Sequence, residues 1–437
     1  MLDLRRENRA AVLWSLYFSR PGSRQDLSAA TGLSTTSVTN VVRELIDDGI
    51  VIEAGSEGSD GGRPRMLLDI NPNHRYAIGV DVGETRIRVE LFDLAMTPRA
   101  KAEYPLNPAE HDVDTVVQGI VSGLNAVLTD GGVDPAAVLG VGVGVPGVVE
   151  QGPEAVVHGQ TYGWDAVPLE RLLRAHTDLP LRFENCAKNM GQAESWFGAA
   201  RGAENAVVVL VGSGVGASLI SGGITCQEAT SSATELGHTT IVAGGRRCRC
   251  GSLGCLEAYV GAEAILDRCG KLAALGADDE ESMLAAHIAG ARSSPTAGAV
   301  LAETAEYLGV GIGNMINLFN PERVILGGWA GLLLGGRLLP EIRESARRNS
   351  LRHPFAGASI ELGQLGQEAV ALGAATLPIE DFLNGAARPT ALPDGGRVPR
   401  HLTAPAVSPV TRKRCMRRKP ATTGTLTTMD AAMIWFQ

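Results

Sequence analysis

Apolar residues recur at helical spacing from the start of the chain. Leu4, Val12, Leu13, Leu16 and Tyr17 can share one face of a helix over residues 4–18. Pro21-Gly22 interrupts that pattern. Ser23, three residues before Asp26, is an N-cap signature for a short helix over 24–31 that Gly32 ends. Ser34 caps the next helix, which runs to about Asp48. Its apolar positions, Val38, Val41, Val42, Leu45 and Ile46, follow the i, i+3, i+4, i+7, i+8 rule of a one-sided helix. The opposite face carries Thr35, Thr36, Thr39, Asn40 and Arg43, which are short, polar and mostly neutral. Past Gly49 the period changes: Ile50-Val51-Ile52 reads as a strand and Met66-Leu67-Leu68 as its return, with a glycine-rich run between.

Helix, glycine turn, hydroxyl-rich helix and two-stranded wing is the pattern of a winged helix-turn-helix. Residues 1–72 are therefore expected to bind double-stranded DNA. Thr35, Thr36, Thr39, Asn40 and Arg43 would enter the major groove. Arg63 and Arg65 lie in the extended run Gly61-Gly62-Arg63-Pro64-Arg65 and would suit a narrow minor groove. A small helical domain for protein contact is the other reading of the pattern.

After a Pro-containing linker at 71–75, strands and helices alternate to about residue 380, which indicates an α/β fold of two lobes over 73–383. Residues 76–83 and 87–93 form a hairpin, 112–128 an amphipathic helix, and 140–147 a buried strand with its exit. Arg182 to Cys186 ends a strand and 187–199 continues as a helix. Ala206 to Val211 and Ala217 to Ile220 are strands joined by a tight turn, Gly212 to Gly216. Residues 261–317 read as mostly helical, and Arg323 to Gly328 as a late strand. From 384 to 437 hydrophobic periodicity vanishes and Pro, Thr, Arg and Ala dominate, so this tail is expected to be disordered. It holds nine Lys or Arg against two acids, so the net charge of −9 conceals a strongly acidic body. DNA contact by such a body must be confined to a local patch.

Three of the seven cysteines cluster. Glu235-Leu236-Gly237-His238 is followed by Cys248-Arg249-Cys250 and then Cys255-Leu256-Glu257. Three thiolates and an imidazole within so short a span are a ligand set for tetrahedral zinc. His238, Cys248, Cys250 and Cys255 fill all four positions, which makes the metal structural. Glu235 and Glu257 bracket the loop and suit a grip on hydroxyl groups. The odd cysteine count, the charged N-terminus and the lack of a long apolar run lead us to expect a cytoplasmic protein that meets no membrane.

Together these motifs resemble the ROK (repressor, open reading frame, kinase) family over about residues 5–380. The carriers are the Asp81-Val82-Gly83 hairpin, Gly142 to Gly147, Gly212 to Gly216, Glu235-x-Gly237-His238 and Cys248-x-Cys250-Gly251-x-x-Gly254-Cys255-Leu256-Glu257. The resemblance implies an actin-like, hexokinase-like two-lobed ATPase fold, a sugar held between the lobes, and dimers or tetramers. Members with a winged helix are sugar-responsive regulators; those without it are usually sugar kinases. Carried onto this chain, the sugar contacts would be Asn185, Glu235, His238 and Glu257, and the phosphate loops would be Asp81, Gly83, Gly212, Gly214 and Gly216. A further sugar contact of the family, an Asn, becomes Thr161.

Two departures point away from phosphoryl transfer, and so from any use of ATP and Mg. Family kinases follow the sugar-binding Asn with an Asp that deprotonates the attacking hydroxyl; here Asn185 precedes Cys186, a poor base. No neighbouring acid is obviously placed to replace it: Glu184, by the two-residue period of a strand, points elsewhere. The family's Asp-x-Gly-Gly-Thr becomes Asp81-Val82-Gly83-Glu84-Thr85, with a carboxylate where phosphate should approach. Trp329 adds an indole where a small residue is usual. The chain is therefore expected to be a sugar-responsive DNA-binding regulator, most simply a repressor, with an ATP-dependent sugar kinase as the alternative.

Overall fold

The computed structural model describes residues 2–58, 64–106, 112–226, 234–270 and 280–385. Arg63 and all but the first two residues of the tail lie outside the described residues. The N-terminal segment forms α1 (Leu2–Ser19), β1 (Gly22–Ser23), α2 (Arg24–Thr31), α3 (Thr35–Asp47), β2 (Val51–Glu57) and β3 (Arg65–Ile70). Ser23 and Asp26 close a reciprocal capping box on α2, and Gly32 ends that helix at φ +70°. Ser34 caps α3 by accepting the Ser37 N–H. Val38, Val41, Val42 and Leu45 are buried together, as the period requires. Leu4, expected on the buried face of α1, is 61% exposed. One pairing is not visible in the period: β1 joins the sheet beside β3, in the order β1-β3-β2.

Two α/β lobes follow. The first contains β4 (Tyr76–Val82), β5 (Arg86–Asp93), β6 (Pro98–Pro105), α4 (Val113–Gly131), β7 (Val138–Val145), a small sheet of β8 (Val148–Glu150), β9 (Val156–Gly159) and β10 (Trp164–Val167), α5 (Leu169–Arg174) and β11 (Leu181–Asn185). Its main sheet runs β11-β7-β4-β5-β6, with β6 an addition to the expected hairpin. The chain then crosses through α6 (Cys186–Phe197) into β12 (Asn205–Val211), β13 (Val215–Ser221) and β14 (Ile224–Thr225). Helices α7 (Glu257–Val260), α8 (Ala262–Arg268), α9 (Glu280–Gly290) and α10 (Pro295–Phe319) lead to β15 (Arg323–Gly327), α11 (Trp329–Arg348), α12 (Arg352–Gly357) and β16 (Ser359–Leu362). The second sheet runs β14-β13-β12-β15-β16. The turn expected over Gly212 to Gly216 is shorter than that, since Val215 and Gly216 already pair in β13. The chain returns through α13 (Ala369–Leu383) onto the first sheet.

Helices α6 and α13 pack backbone to backbone: a Cβ on Gly373 would stand 1.8 Å from the Asn189 carbonyl oxygen. Both end against the N-terminal segment. Trp196, late in α6, meets Trp14, Phe18 and Tyr17 of α1 with ring centroids 5.5, 5.0 and 6.2 Å apart. Past α13, Asn384 Oδ1 accepts the Trp14 indole N–H at 2.9 Å. The linker is tied down as well, with Asn71 donating to the Gly49 carbonyl at 2.9 Å. The apolar core of the N-terminal segment thus runs into Phe92, Leu94, Trp196, Ile379 and Phe382 of the body without a break. No helix among the described residues is long and apolar enough to cross a membrane.

Candidate functional site

A cavity of about 500 Å³ opens between the two lobes. Asn185, Glu235, His238 and Glu257 all line it, although they lie up to 72 residues apart in sequence. Asn185 ends β11 and caps α6: its Oδ1 accepts the Ala187 N–H at 2.8 Å and its Nδ2 donates to the Gly147 carbonyl at 2.7 Å. One Nδ2 hydrogen is left facing other partners. Glu257 starts α7, with Oε2 accepting the Val215 N–H at 3.0 Å. Burial raises the pKa of Glu235 above the usual carboxylate range, with neighbouring Glu257 adding to the rise. Such a set presents acceptors and an amide in one pocket, which suits vicinal hydroxyls. Of residue 161 only its place in the loop is described; neighbouring Gln160 and, from β9, His158 line the cavity and were not anticipated.

The residues expected at phosphate, Asp81, Gly83, Gly212, Gly214 and Gly216, line the same cavity. Two bulky side chains, Trp329 and Glu84, line the cavity with them. Trp329 stands at the start of α11 with its indole nitrogen 3.2 Å from where a Gly212 Cβ would be. Glu84 does not stand as a bare repelling charge: Arg249 grips it, Nη1 to Oε2 at 2.6 Å and Nη2 to Oε1 at 3.3 Å. Nothing near Glu84 in sequence announces this partner, although an arginine inside a Cys-x-Cys turn was a signal to follow.

The Cys186 thiol opens the helix after Asn185 and lies 3.8 Å from Asp81 Oδ1. Burial pushes the thiol well above its ordinary pKa, and the Asp81 charge pushes it further. It is a proton donor in this setting rather than a base. The expectation that no acid stands near needs correcting, since Asp81 reaches the thiol from β4 across 105 residues of sequence. Burial raises Asp81 itself to about 6. Glu184 does turn away, its carboxylate accepting the Asn185 N–H at 2.8 Å.

On the second-lobe wall of the cavity, His238, Cys248, Cys250 and Cys255 bring their ligand atoms within 4.8 Å of one another. Cys250 Sγ lies 3.7 Å from Cys255 Sγ, and Cys248 Sγ lies 3.7 Å from His238 Nδ1. Metal–thiolate bonds of about 2.3 Å and metal–imidazole bonds of about 2.0 Å make tetrahedral edges of roughly 3.5–3.8 Å. The residues present fit a four-coordinate metal, with Nδ1 as the imidazole ligand and the ring forming part of the cavity wall.

In the N-terminal segment Thr35, Thr36, Asn40 and Arg43 are exposed along α3, and Arg65 is exposed at the start of β3. Thr39 is half-buried, and its hydroxyl donates to the Thr35 carbonyl at 2.7 Å. The face is therefore open, with one hydroxyl turned to its own helix.

The chain thus has two α/β lobes around a cleft, with a Cys/His loop in one wall. The chain belongs to the ROK family, whose sequence model matches residues 77–381. It is 30% identical over 390 residues to the xylose repressor of Caldicellulosiruptor bescii, covering 87% of this chain and 97% of that one. It is also 30% identical over 310 residues to a glucokinase of Halalkalibacterium halodurans, covering 68% of this chain and 93% of that protein. Among solved structures it is similar to a ROK family transcriptional regulator described as a homologue of the E. coli MLC protein. There the TM-score is 0.71 at 27% identity, over 87% of this chain and 97% of that one.

Proposed function

We propose that the chain is a transcriptional regulator that binds operator DNA and whose DNA affinity is set by a sugar in the interlobe cleft. The observation that carries the reading is the convergence of Asn185, Glu235, His238 and Glu257 on one cleft beside a buried thiol, hydrogen-bonded to Asp81, where a base is required. Similarity to a repressor along almost its full length supports it. Residues 1–72 act as a winged helix-turn-helix, with Thr35, Thr36, Thr39, Asn40 and Arg43 toward the major groove and Arg63 and Arg65 toward the minor groove. Residues 73–383 bind the sugar through Asn185, Glu235, His238 and Glu257. Two copies would read a repeated or palindromic site. His238, Cys248, Cys250 and Cys255 hold a structural zinc, which cross-links the loop carrying Glu257.

The coupling follows from the two helices. α6 begins at the cleft with Asn185 as its cap, and α13 begins there with Ala369 and Val370. Twelve residues of α6 span about 18 Å. At the far end Trp196, and beyond α13 Asn384, hold α1. A sugar that favours one arrangement of the lobes therefore moves the DNA-binding segment, provided the two arrangements differ in sugar affinity.

The test combines thermal stabilisation with operator binding, using D-xylose and D-glucose as first probes. A sugar that raises the melting temperature and changes the affinity for the chain's own promoter DNA is the expected result. A sugar that binds without changing DNA affinity refutes the regulator reading. The second reading is a sugar kinase that also binds DNA, favoured by the position of Asp81 beside Cys186. Turnover with Mg-ATP that disappears in Asp81→Asn would establish it.

A further inference from the structure

We infer that the effector is a neutral, unphosphorylated sugar, and that Arg249 enforces this by clasping Glu84 across the phosphate side of the cleft. The inference rests on the sugar-sensing reading and specifies its ligand.

Glu84 lies on the turn between β4 and β5 of the first lobe; Arg249 lies in the metal loop of the second. Their two-point contact is the fork geometry that a guanidinium makes with a carboxylate or a phosphate. Glu84 therefore supplies, from within the chain, the anion that a nucleotide or sugar phosphate would bring. Arg249 also reaches Glu263 at 3.0 Å and Glu257 at 3.4 Å, so one guanidinium faces three carboxylates. The cluster leaves no room above the second glycine turn. A Cβ on Gly214 would meet Arg249 Nη2 and Glu257 Oε2 at 2.9 Å, and Glu84 Oε1 at 3.3 Å.

The rest of the lining agrees. Asp81, Glu84, Glu235, Glu257 and Glu281 contribute carboxylates to the cavity, and among the described residues no lysine lines it. Of the arginines lining it, Arg86 meets Glu281 at 3.1 Å and Arg88 meets Glu103 at 2.8 Å. A phosphate would enter beside Asp81 and Glu235, with Arg86, Arg88 and Arg249 each already engaged by carboxylates. A hydroxyl can donate to the same carboxylates without adding charge. Arg249 is also a positioning residue, since its contact with Glu257 helps hold that carboxylate toward the sugar.

The experiment is calorimetric titration of metal-loaded, full-length protein with D-xylose, D-glucose, D-glucose 6-phosphate and Mg-ADP. The wild type, Glu84→Gly, Arg249→Met and Arg249→Lys are compared. We expect an aldose to bind the wild type at least about a hundredfold more tightly than glucose 6-phosphate, as like-charge juxtaposition requires. Glu84→Gly should gain binding of Mg-ADP that the wild type lacks. Arg249→Met should weaken aldose binding about tenfold with unchanged metal content, and Arg249→Lys should recover part of it. Glucose 6-phosphate binding as tightly as glucose overturns the inference, as does a wild type that binds Mg-ADP or binds none of the four probes. If glucose 6-phosphate binds and alters operator affinity, the inference fails and sugar sensing stands. If an aldose binds alone and operator affinity is unmoved, the sensing reading fails and the charge selection stands.

Discussion

Replacing Trp196 by Ala should cut the link between cleft and DNA-binding segment while sparing both ends. The indole is 8% exposed and sits in the seam between α6 and α1. Deleting a buried Trp side chain from a core costs about 3–5 kcal/mol. Three of its ring contacts, to Trp14, Tyr17 and Phe18, cross the seam. At about 1 kcal/mol for each aromatic pair, roughly 3 kcal/mol of the loss falls on docking of α1 against the body. That shifts the docked-to-undocked ratio by about two powers of ten. Amide hydrogen exchange in α1 should therefore accelerate about a hundredfold, with β4, β7 and β12 little affected. Sugar affinity measured by calorimetry should stay within about twofold, because Trp196 does not line the cavity. The sugar-induced change in operator affinity should collapse toward one. Unchanged exchange in α1 would refute the docking argument. An intact sugar effect on DNA binding alongside faster exchange would refute α6 as the connection.

Replacing Cys250 by Ser should abolish stoichiometric zinc and lower the melting temperature; full metal content at an unchanged melting temperature would remove the structural role assigned to the loop. Glu257→Ala should weaken sugar binding by roughly ten- to a hundredfold, the range of a hydrogen bond to a charged group, with DNA affinity of the sugar-free protein nearly normal. An equal loss of DNA affinity would show that the two roles are not separable. Asp81→Asn should change stability in a pH-dependent way. The folded carboxyl titrates near 6, above its ordinary 3.8, so it favours folding in acid and this contribution is lost as pH rises through about 6. The variant should gain melting temperature at pH 8 relative to wild type and gain little at pH 4; a gain independent of pH would assign the effect to packing.

Local rules carried the sequence reading a long way, and its gaps share one cause. The capping box of Ser23 and Asp26, the apolar stripe of α3 and the thiolate–imidazole loop depend on residues close in sequence. The metal motif also placed Glu235 and Glu257 at the cleft. What could not be read were partnerships across the chain. Glu84 looked like a charge that merely repels, because its counter-ion is 165 residues away. Cys186 looked isolated from any acid, because Asp81 arrives from another strand. The aromatic residues of α1 looked like ordinary core until Trp196 was placed against them. Leu4 fitted the helical period, yet it lies beyond the buried stripe and is 61% exposed.

A sensor of the proposed kind needs no catalytic base, for an energetic reason. A ligand shifts an equilibrium only by the difference between its affinities for the two states. A tenfold change in operator affinity needs about 1.4 kcal/mol of such difference. One hydrogen bond to a charged group, made in the closed arrangement and broken in the open one, is worth about 1.5–3 kcal/mol. The cleft offers that bond across its width, since Asn185 ends a first-lobe strand while Glu235, His238 and Glu257 belong to the second. Asn185 is also the cap of α6, its Oδ1 holding the first free N–H groups of the helix. A sugar drawn between Asn185 and Glu257 therefore pulls on the end of the helix that carries Trp196. No proton need leave the sugar for this to work, so on the proposed reading a thiol at position 186 is compatible with the lever.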